Sequence, residues 1–404
     1  MREVLKRSGV FQPSSDIRDR IEISTSALSD AKAGPVLKVC HLVSGDLWAG
    51  AEAMDYGLLK GLRAYQDLAL SAIVLNHGRF ADEVRKLGIR VDVVDETRLH
   101  FPQILRRVRE ILQEAGPDVV HSHWYKENLL AYLASRRGKT ISLVSTQHGM
   151  PEYLGRRTDI KYMALHRFNF FILSRYFQGT VAVSNEVRKT LTERHGFDES
   201  RTFVIYNGTE PCDGALPDRS GGGFTIGSSG RFFPVKDFPL MVEIAREIAR
   251  HADGIRFELA GTGPDEERIA EMVHLHGLER TFLLRGFLCD VSGFYQGLDL
   301  YLNTSRHEGI PMSVLEAMAH GLPVVAPNVG GLKEIVDEGV HGFLVQKRDP
   351  GTFADRCMLL YRDEELRQRM GLAAKERIEA VFSNRRMARD YHGLYRSIAG
   401  ARRS

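Results

Sequence analysis

The chain has 404 residues, which is too long for one typical core and fits two domains. Its composition is that of an ordinary globular protein, and a formal net charge of +3 is too mild to indicate a nucleic-acid partner. The four cysteines are scattered without a CxxC pair, which favours a reducing compartment and no structural zinc. No apolar run has the length of a membrane span, so none is predicted.

The first half of the chain divides into a polar extension and a first domain. Residues 1–34 are polar and mixed in charge, which predicts a poorly ordered N-terminal extension. Over residues 35–208, short apolar runs alternate with helix-like segments, a pattern typical of a parallel sheet covered by helices on both faces. The predicted strands are residues 36–43, 68–75, 90–94, 119–121, 142–146, 179–183 and 203–206.

A second alternating series follows a predicted linker. Residues 209–223 contain two prolines and a run of three glycines, which favours a connection between domains. The second domain is predicted over residues 224–383. Its strands are predicted at residues 224–228, 256–260, 281–284, 300–302, 324–325 and 343–345. The fold class is therefore α/β, with two Rossmann-like parallel-sheet domains facing a central cleft. Ligands bind beyond the carboxyl ends of such strands.

Two glutamates follow the predicted strand 300–302. Glu308 falls in a loop, and Glu316 falls in a helix-like run that begins near Pro311. Free N–H groups at the helix start can bind a phosphate, while the two carboxylates accept hydroxyl hydrogens. This arrangement fits a sugar joined to a nucleotide through a diphosphate. Acidic residues also complement the dipole at helix starts. Apolar neighbours of Glu316 favour the binding role, because a buried carboxylate needs partners.

A basic loop follows the first strand of the second domain. Gly230 and Arg231 open it, and Lys236 ends it. Arg supplies a fork of donors and Lys a compact charge, so the pair can clamp a diphosphate. The alternative is a solvated surface pair, the usual fate of these residues. Gly261, in a Gly-Thr-Gly turn after the next strand, is predicted either as part of the same site or as a tight turn alone.

The first domain offers small residues and histidines at its strand ends. Gly50 closes a loop before a helix, where a backbone can approach a phosphate or sugar. His121 and His123 have a spacing that suits a metal, but no third ligand is evident, and we favour a structural role for both. His148, followed by a glycine, is the better candidate for contact with sugar hydroxyls.

Residues 156–177 combine basic and aromatic side chains. Such a helix can lie on an anionic membrane surface. It can also be a core helix whose long basic side chains reach water at its edge. We favour the core helix and keep peripheral membrane contact as an alternative.

Taken together, these motifs resemble the family-four retaining glycosyltransferases of the GT-B fold (group 1), over roughly residues 36–395. The strongest element of the resemblance is the pair of glutamates, Glu308 and Glu316. Further segments follow in the family's order: 207–208, 230–236, 261–263 and 334–342. The family usually has adjacent glycines where this chain has Ala49 and Gly50.

The resemblance implies specific roles. Glu308 would bind the donor sugar, Glu316 the ribose, and Arg231 and Lys236 the diphosphate. His148 would lie near the sugar and the acceptor. Backbone groups that hydrogen-bond the sugar and phosphate would come from Gly309, Ile310, Pro311, Met312, Ser313 and Val314, with Gly50, Gly230 and Gly261 lining the same site. A last helix over residues 384–404 would cross back to the first domain.

The implied activity is transfer of a hexose from a nucleotide sugar to a saccharide or lipid-linked acceptor. Family members commonly work in polysaccharide or glycolipid biosynthesis, in the cytoplasm or at the inner face of the membrane, and need no metal or other cofactor. Two alternatives stay open. One is a nucleotide-sugar 2-epimerase of similar fold. The other is a non-catalytic protein that binds nucleotide sugars. The presence of Arg231, Lys236, Glu308 and Glu316 argues against that second alternative.

Overall fold

A computed structural model describes residues 35–46, 48–136, 140–150, 159–212 and 223–401. The predicted extension over residues 1–34 and most of the predicted linker lie outside the described residues. The rest forms two parallel sheets covered by helices. The predicted α/β class with two Rossmann-like domains is therefore confirmed.

The first sheet has seven strands in the order β3-β2-β1-β4-β5-β6-β7. The chain winds outward from β1 to β3 and then returns to place β4 beside β1, so the carboxyl ends of β1 and β4 border a crevice. The elements are β1 (Leu37–Val43), α1 (Gly50–Leu62), β2 (Leu68–Val74), α2 (Arg79–Lys86), β3 (Arg90–Val93), α3 (Phe101–Ala115), β4 (Val119–Ser122), α4 (Tyr125–Ser135), β5 (Ser142–Gln147), α5 (Asp159–Tyr176), β6 (Gly179–Ala182), α6 (Asn185–Lys189) and β7 (Thr202–Val204).

The second sheet has six strands in the order β10-β9-β8-β11-β12-β13. Its reversal lies between β8 and β11, so the loops after these two strands are neighbours. The elements are β8 (Phe224–Ser229), α7 (Phe238–Ala249), β9 (Ile255–Ala260), α8 (Glu266–Leu275), β10 (Phe282–Gly286), α9 (Ser292–Gln296), β11 (Leu300–Leu302), α10 (Met312–Ala319), β12 (Val324–Pro327), α11 (Leu332–Ile335), β13 (Gly342–Val345), α12 (Pro350–Arg362), α13 (Glu364–Val381) and α14 (Asn384–Gly400).

Helix α14 ties the end of the chain to the first domain. It packs on α1, where Gly57 and Gly61 leave room for Asn384 and Ala388. Where the chain passes between the domains, Thr209 donates to the Phe382 carbonyl over 2.8 Å. One apolar cluster continues from α1 through α10 to α14, so buried side chains of both domains share a single core.

Candidate functional site

The loops after β8 and β11 bring a cation and a carboxylate together. The Nζ of Lys236 lies 2.6 Å from Oε1 of Glu308, and the Ser305 hydroxyl donates to the same oxygen over 2.6 Å. Both charged side chains remain partly accessible, at 22% and 10%. The reversal of strand order between β8 and β11 explains why residues 72 positions apart meet.

Ion pairs hold this pair of loops in place. Asp237 has φ = 49°, a left-handed conformation that is costly for a residue other than glycine. Its carboxylate accepts from Arg348 at 2.6 Å and pairs with Arg306 at 3.0 Å. Arg348 also donates to the carbonyls of Thr304 and Ser305, so it connects both loops. No sequence pattern singled out Asp237 or Arg348, because the two are 111 residues apart.

Glu316 lies on one side of α10, half-buried among apolar neighbours. The Tyr295 hydroxyl donates to its Oε2 over 2.9 Å. Burial raises the pKa of Glu316 to about 7, and the hydrogen bond from Tyr295 opposes that rise. At neutral pH the group can therefore exist both as a carboxylate that accepts hydroxyl hydrogens and as the neutral acid. Pro311 precedes α10 rather than occupying its first turn.

Several of the glycines that were predicted to line the site allow two loops to approach each other closely. A Cβ on Gly261 would lie 1.9 Å from the Gly230 carbonyl oxygen, so close packing between two loops explains the glycine whether or not a ligand binds there. A Cβ on Gly309 would lie 2.2 Å from the His148 carbonyl oxygen, which joins the second domain to the first. Gly50 lies against Met312, because a Cβ on Gly50 would lie 3.6 Å from Cγ of Met312.

Arg231 differs from Lys236 in having an exposed side chain without an ion pair among the described residues. Its guanidinium carbon lies 5.0 Å from the centre of the Phe233 ring. Its charge also reaches Glu52 of the first domain. Burial raises the pKa of Glu52, and Arg231 is among the groups that oppose that rise. The buried Glu52 carboxylate accepts from the Ala49 amide at the start of α1.

In the first domain, His148 belongs to a buried cluster. Its Nε2 lies 3.2 Å from Nδ1 of His123, whose Nε2 lies 3.2 Å from Oδ1 of Asp55. The same carboxylate oxygen lies 2.7 Å from Nδ1 of His41. Burial opposes ionisation of Asp55, but His41 and His123 outweigh it and hold its pKa well below the usual range.

The cluster extends to α14 through His121. Its Nδ1 bonds the Tyr395 hydroxyl at 2.7 Å, and its Nε2 bonds the Thr146 hydroxyl at 2.8 Å. Thr146 in turn bonds the Tyr391 hydroxyl at 2.7 Å. Burial, followed by the neighbouring His123, lowers the pKa of His121 well below its ordinary value. His121 and His123 are both buried within this cluster.

Three of these histidines have the proximity of metal ligands. Ring nitrogens of His41, His121 and His123 lie within 4.8 Å of one another. The sequence indicated only the last two, because His41 comes 80 residues earlier, on the adjacent strand. Each ring nitrogen already faces a protein group, either Asp55, a tyrosine hydroxyl, Thr146 or His148. Most of these nitrogens are hydrogen-bonded within the cluster, whereas Nε2 of His123 makes no hydrogen bond to a described residue.

The described part of the basic and aromatic stretch is α5. It has features of both alternatives, a core helix and a helix on a membrane surface. Phe170, Leu173 and neighbouring side chains are buried in the core. The opposite side leaves Ile160, Met163, Phe168, Phe171 and Tyr176 exposed, with Arg167 and Arg175 exposed among them. Core packing thus explains only one side of the helix. None of the described helices is sufficiently long and apolar to span a bilayer.

Two Rossmann-like domains that meet at their strand ends, with a Lys–Glu pair and glycine-lined loops, define the GT-B class. Comparison with known families agrees. Residues 49–211 match the model for Glycosyltransferase Family 4, and residues 218–377 match the model for group 1 glycosyl transferases. The two matches cover most of the chain, which belongs to the family-four glycosyltransferases and is a transferase enzyme.

Individual relatives are distant. The chain is 28% identical over 270 residues to an uncharacterised glycosyltransferase of Methanocaldococcus jannaschii, covering 66% of this chain and 72% of that protein. It is 24% identical over 275 residues (64% and 70%) to the Escherichia coli UDP-Gal:alpha-D-GlcNAc-diphosphoundecaprenol alpha-1,3-galactosyltransferase. The crystal structure of Anabaena HepE in complex with UDP-glucose superposes with a TM-score of 0.77 at 19% identity, covering 89% of this chain and 100% of that one.

Proposed function

We propose that this chain is a retaining glycosyltransferase that moves a sugar from a nucleotide-diphosphate donor to a saccharide or lipid-linked acceptor, in polysaccharide or glycolipid biosynthesis. The Lys236–Glu308 pair carries the proposal. It adjoins the contact between Gly309 and the His148 carbonyl, where the two domains meet. A cation and a hydroxyl acceptor therefore lie together at the junction of the two sheets.

Each charged group has a distinct task in this proposal. A diphosphate would compete with Glu308 for Lys236, and the exposed Arg231 would supply a second cation. Glu308, released from its partner, would accept hydrogens from the donor sugar. Glu316 would accept from the ribose, with the Tyr295 hydroxyl orienting its carboxylate. The backbone of residues 309–314 would provide donors to the sugar and phosphate.

The bond from the sugar C1 to the diphosphate oxygen breaks, and a bond from C1 to the acceptor oxygen forms on the same face. The acceptor's proton passes to the leaving phosphate oxygen. Arg231 and Lys236 would stabilise the charge that develops on that phosphate, so the proposal requires no metal. Retention of configuration is the outcome that the family match favours.

The test begins with a thermal-shift panel of UDP and GDP sugars, because a ligand of the native state raises the melting temperature. The best donor is then incubated with saccharide and polyprenyl-diphosphate acceptors, with and without EDTA, and the anomeric configuration of the product is read by NMR. We expect a product only with an acceptor. An epimer formed from the donor alone would replace the proposal with the epimerase alternative. Binding without turnover on any acceptor would favour a non-catalytic protein.

We also propose that α5 contacts an anionic membrane that carries the acceptor. Its exposed side chains Phe168 and Phe171 would enter the interface while Arg167 and Arg175 face lipid phosphates. The lipid-linked acceptor named for the E. coli relative supports this arrangement. Such contact would place the enzyme in the cytoplasm, at the inner face of the membrane.

Co-sedimentation with anionic liposomes tests this contact. We expect wild-type protein to sediment and the Phe168→Ser, Phe171→Ser double variant to sediment several-fold less. Leu275→Ser is the matched control, since Leu275 is 77% exposed on α8 of the second domain. Equal sedimentation of all three proteins would exclude α5 as the contact.

A further inference from the structure

The cluster behind His148 has a role that the donor site does not explain. Asp55 is fully buried, and its partner imidazoles belong to segments far apart in the sequence. A buried charge is costly, so a carboxylate held in this position needs a compensating set of donors. His41 is hydrogen-bonded to the carboxylate, His123 lies 3.2 Å from it, and His123 connects the cluster to His148.

Hydrogen-bond accounting assigns the protons in this chain of contacts. The pKa of Asp55 is held well below its usual range, because His41 and His123 outweigh burial, so the carboxylate is ionised and can only accept. Nδ1 of His41 bonds Oδ1 and must therefore carry a hydrogen. Nε2 of His123 lies 3.2 Å from the same oxygen without making a hydrogen bond to it, and a hydrogen is favoured there because the carboxylate would repel a lone pair.

The second nitrogen of His123 faces His148. His41 lies closer to the carboxylate than His123 does, at 2.7 Å against 3.2 Å. The two rings are stacked with centroids 5.9 Å apart, and two adjacent imidazolium charges would repel. Because Nε2 of His123 holds a hydrogen toward Asp55, its Nδ1 is the acceptor in the contact with His148.

It follows that Nε2 of His148 carries the hydrogen that His123 accepts over 3.2 Å. Burial lowers the pKa of His148 to about 3, so the ring is neutral and its Nδ1 holds a lone pair. Among the described residues, that Nδ1 has no hydrogen-bond partner. The side chain is half-buried, and its own carbonyl contacts Gly309 of the donor loop.

We propose that Asp55 and His123 are positioning residues that hold His148 as the tautomer protonated at Nε2, leaving Nδ1 to accept a hydrogen bond from a substrate hydroxyl. His148 presents an acceptor rather than a donor toward the cleft. The same carboxylate anchors His41, whose Nε2 lies 3.4 Å from the Tyr395 hydroxyl, so the chain of contacts continues onto α14. The kinetic consequence rests on the proposed function, whereas the tautomer does not.

The direct experiment is nitrogen NMR of the full chain labelled with ¹⁵N-histidine, with the His148 signals assigned by their loss in His148→Gln. We expect an Nε2–H tautomer with unprotonated Nδ1 between pH 6 and 8. Asp55→Asn should replace it with a mixture of tautomers. His123→Gln is the second variant, should Asp55→Asn fail to fold. An Nδ1–H tautomer or an imidazolium in the wild type, or an unchanged tautomer in the folded variants, would overturn the inference.

Kinetics supply the second readout. Removing an orienting partner behind a functional imidazole costs roughly 10- to 100-fold. We expect that loss in kcat for Asp55→Asn, with the donor KM within about twofold because Asp55 lies behind His148. The substitution should have no further effect in a His148→Gln background, and additive losses would contradict action through His148. Tyr391→Phe is the control, because it removes a buried hydroxyl of the same cluster outside the Asp55–His148 chain of contacts. If no turnover is found, the NMR result still decides the inference separately from the proposed function.

Discussion

The two domains hold their charges at the junction in opposite ways. In the second domain, the paired side chains of Lys236 and Glu308 are 22% and 10% exposed. In the proposed function, an incoming diphosphate would reach this pair and replace Glu308 as the partner of Lys236. In the first domain, Asp55 pairs with His41 and His123 at no more than 2% exposure. An accessible pair suits the binding of a charged ligand, whereas a buried one suits the fixing of side-chain geometry. In the proposed function, this contrast separates groups that would touch the substrate from groups that would orient them.

The largest expected effect concerns the accessible pair. Glu308→Gln keeps an oxygen for Lys236 but removes the charged acceptor for the donor sugar. We expect kcat to fall by roughly 100-fold or more, the order seen when one group that stabilises a transition state is lost. Steady-state kinetics with donor and acceptor measure the change. Glu258→Gln is the control, since Glu258 pairs with Arg285 at 2.8 Å at a similar exposure of 14%. Turnover within a few-fold of the wild type would show that Glu308 has another role.

The second prediction compares buried carboxyl groups. Glu127 on α4 is 1% exposed, and neither side-chain oxygen has a hydrogen-bond partner among the described residues. Burial raises its pKa from 4.5 to about 7, which corresponds to roughly 3 kcal/mol of preference for the neutral acid. This stabilisation is fully present below pH 4.5 and is lost as pH rises through 7.

Glu127→Gln cannot ionise, so the variant should match the wild type near pH 5 and be more stable near pH 8. Urea unfolding across that range measures the difference. Glu316→Gln should show the same direction and a similar change, because burial raises the pKa of Glu316 to about 7 as well. A wild-type stability that is flat from pH 5 to 8 would contradict the prediction for both groups.

A third prediction tests the contact between the domains. A Cβ at Gly309 would lie 2.2 Å from the His148 carbonyl oxygen, and backbone cannot move aside as a flexible side chain can. Gly309→Ala should lower the free energy of unfolding by about 1–3 kcal/mol and reduce turnover. Gly393→Ala on α14, where no atom lies within 4 Å, should leave stability unchanged or raise it by up to about 1 kcal/mol. Equal effects of the two substitutions would mean that the domains do not meet at Gly309.

A loss of stability of the same order is expected where the buried cluster meets α14. Tyr395→Phe leaves Nδ1 of His121 without a partner in a fully buried site, which should cost about 1–3 kcal/mol. Tyr391→Phe should cost less, since Thr146 keeps its bond to His121. Thermal or urea unfolding ranks the two. A larger loss for Tyr391→Phe would contradict this ranking.

Much of the second-domain site could be predicted because its determinants are local. Glu308 and Glu316 lie in one strand–loop–helix segment, and Arg231 and Lys236 lie in one loop. Their places at strand ends follow from the alternation of apolar and polar runs, which fixes where each strand stops. Their roles toward a donor stay predictions.

The supporting residues could not be found in this way. Arg348 reaches Asp237 across 111 positions, and Tyr295 reaches Glu316 from a different helix. His148 was singled out, but Asp55, which anchors its cluster, lies in the middle of α1 and looks like an ordinary helix-surface acid. Only the burial of that side of α1 shows otherwise.

The sequence alone thus determined the class of the protein, its two parallel-sheet domains and the charged loops, because hydrophobic periodicity and turn residues act over a few positions. The tertiary structure decided which charges pair and which are buried. Strand order is set by packing of the whole sheet, and it places β1 beside β4 and β8 beside β11. Those two adjacencies bring His41 to His121 and Lys236 to Glu308, and no local pattern encodes either meeting.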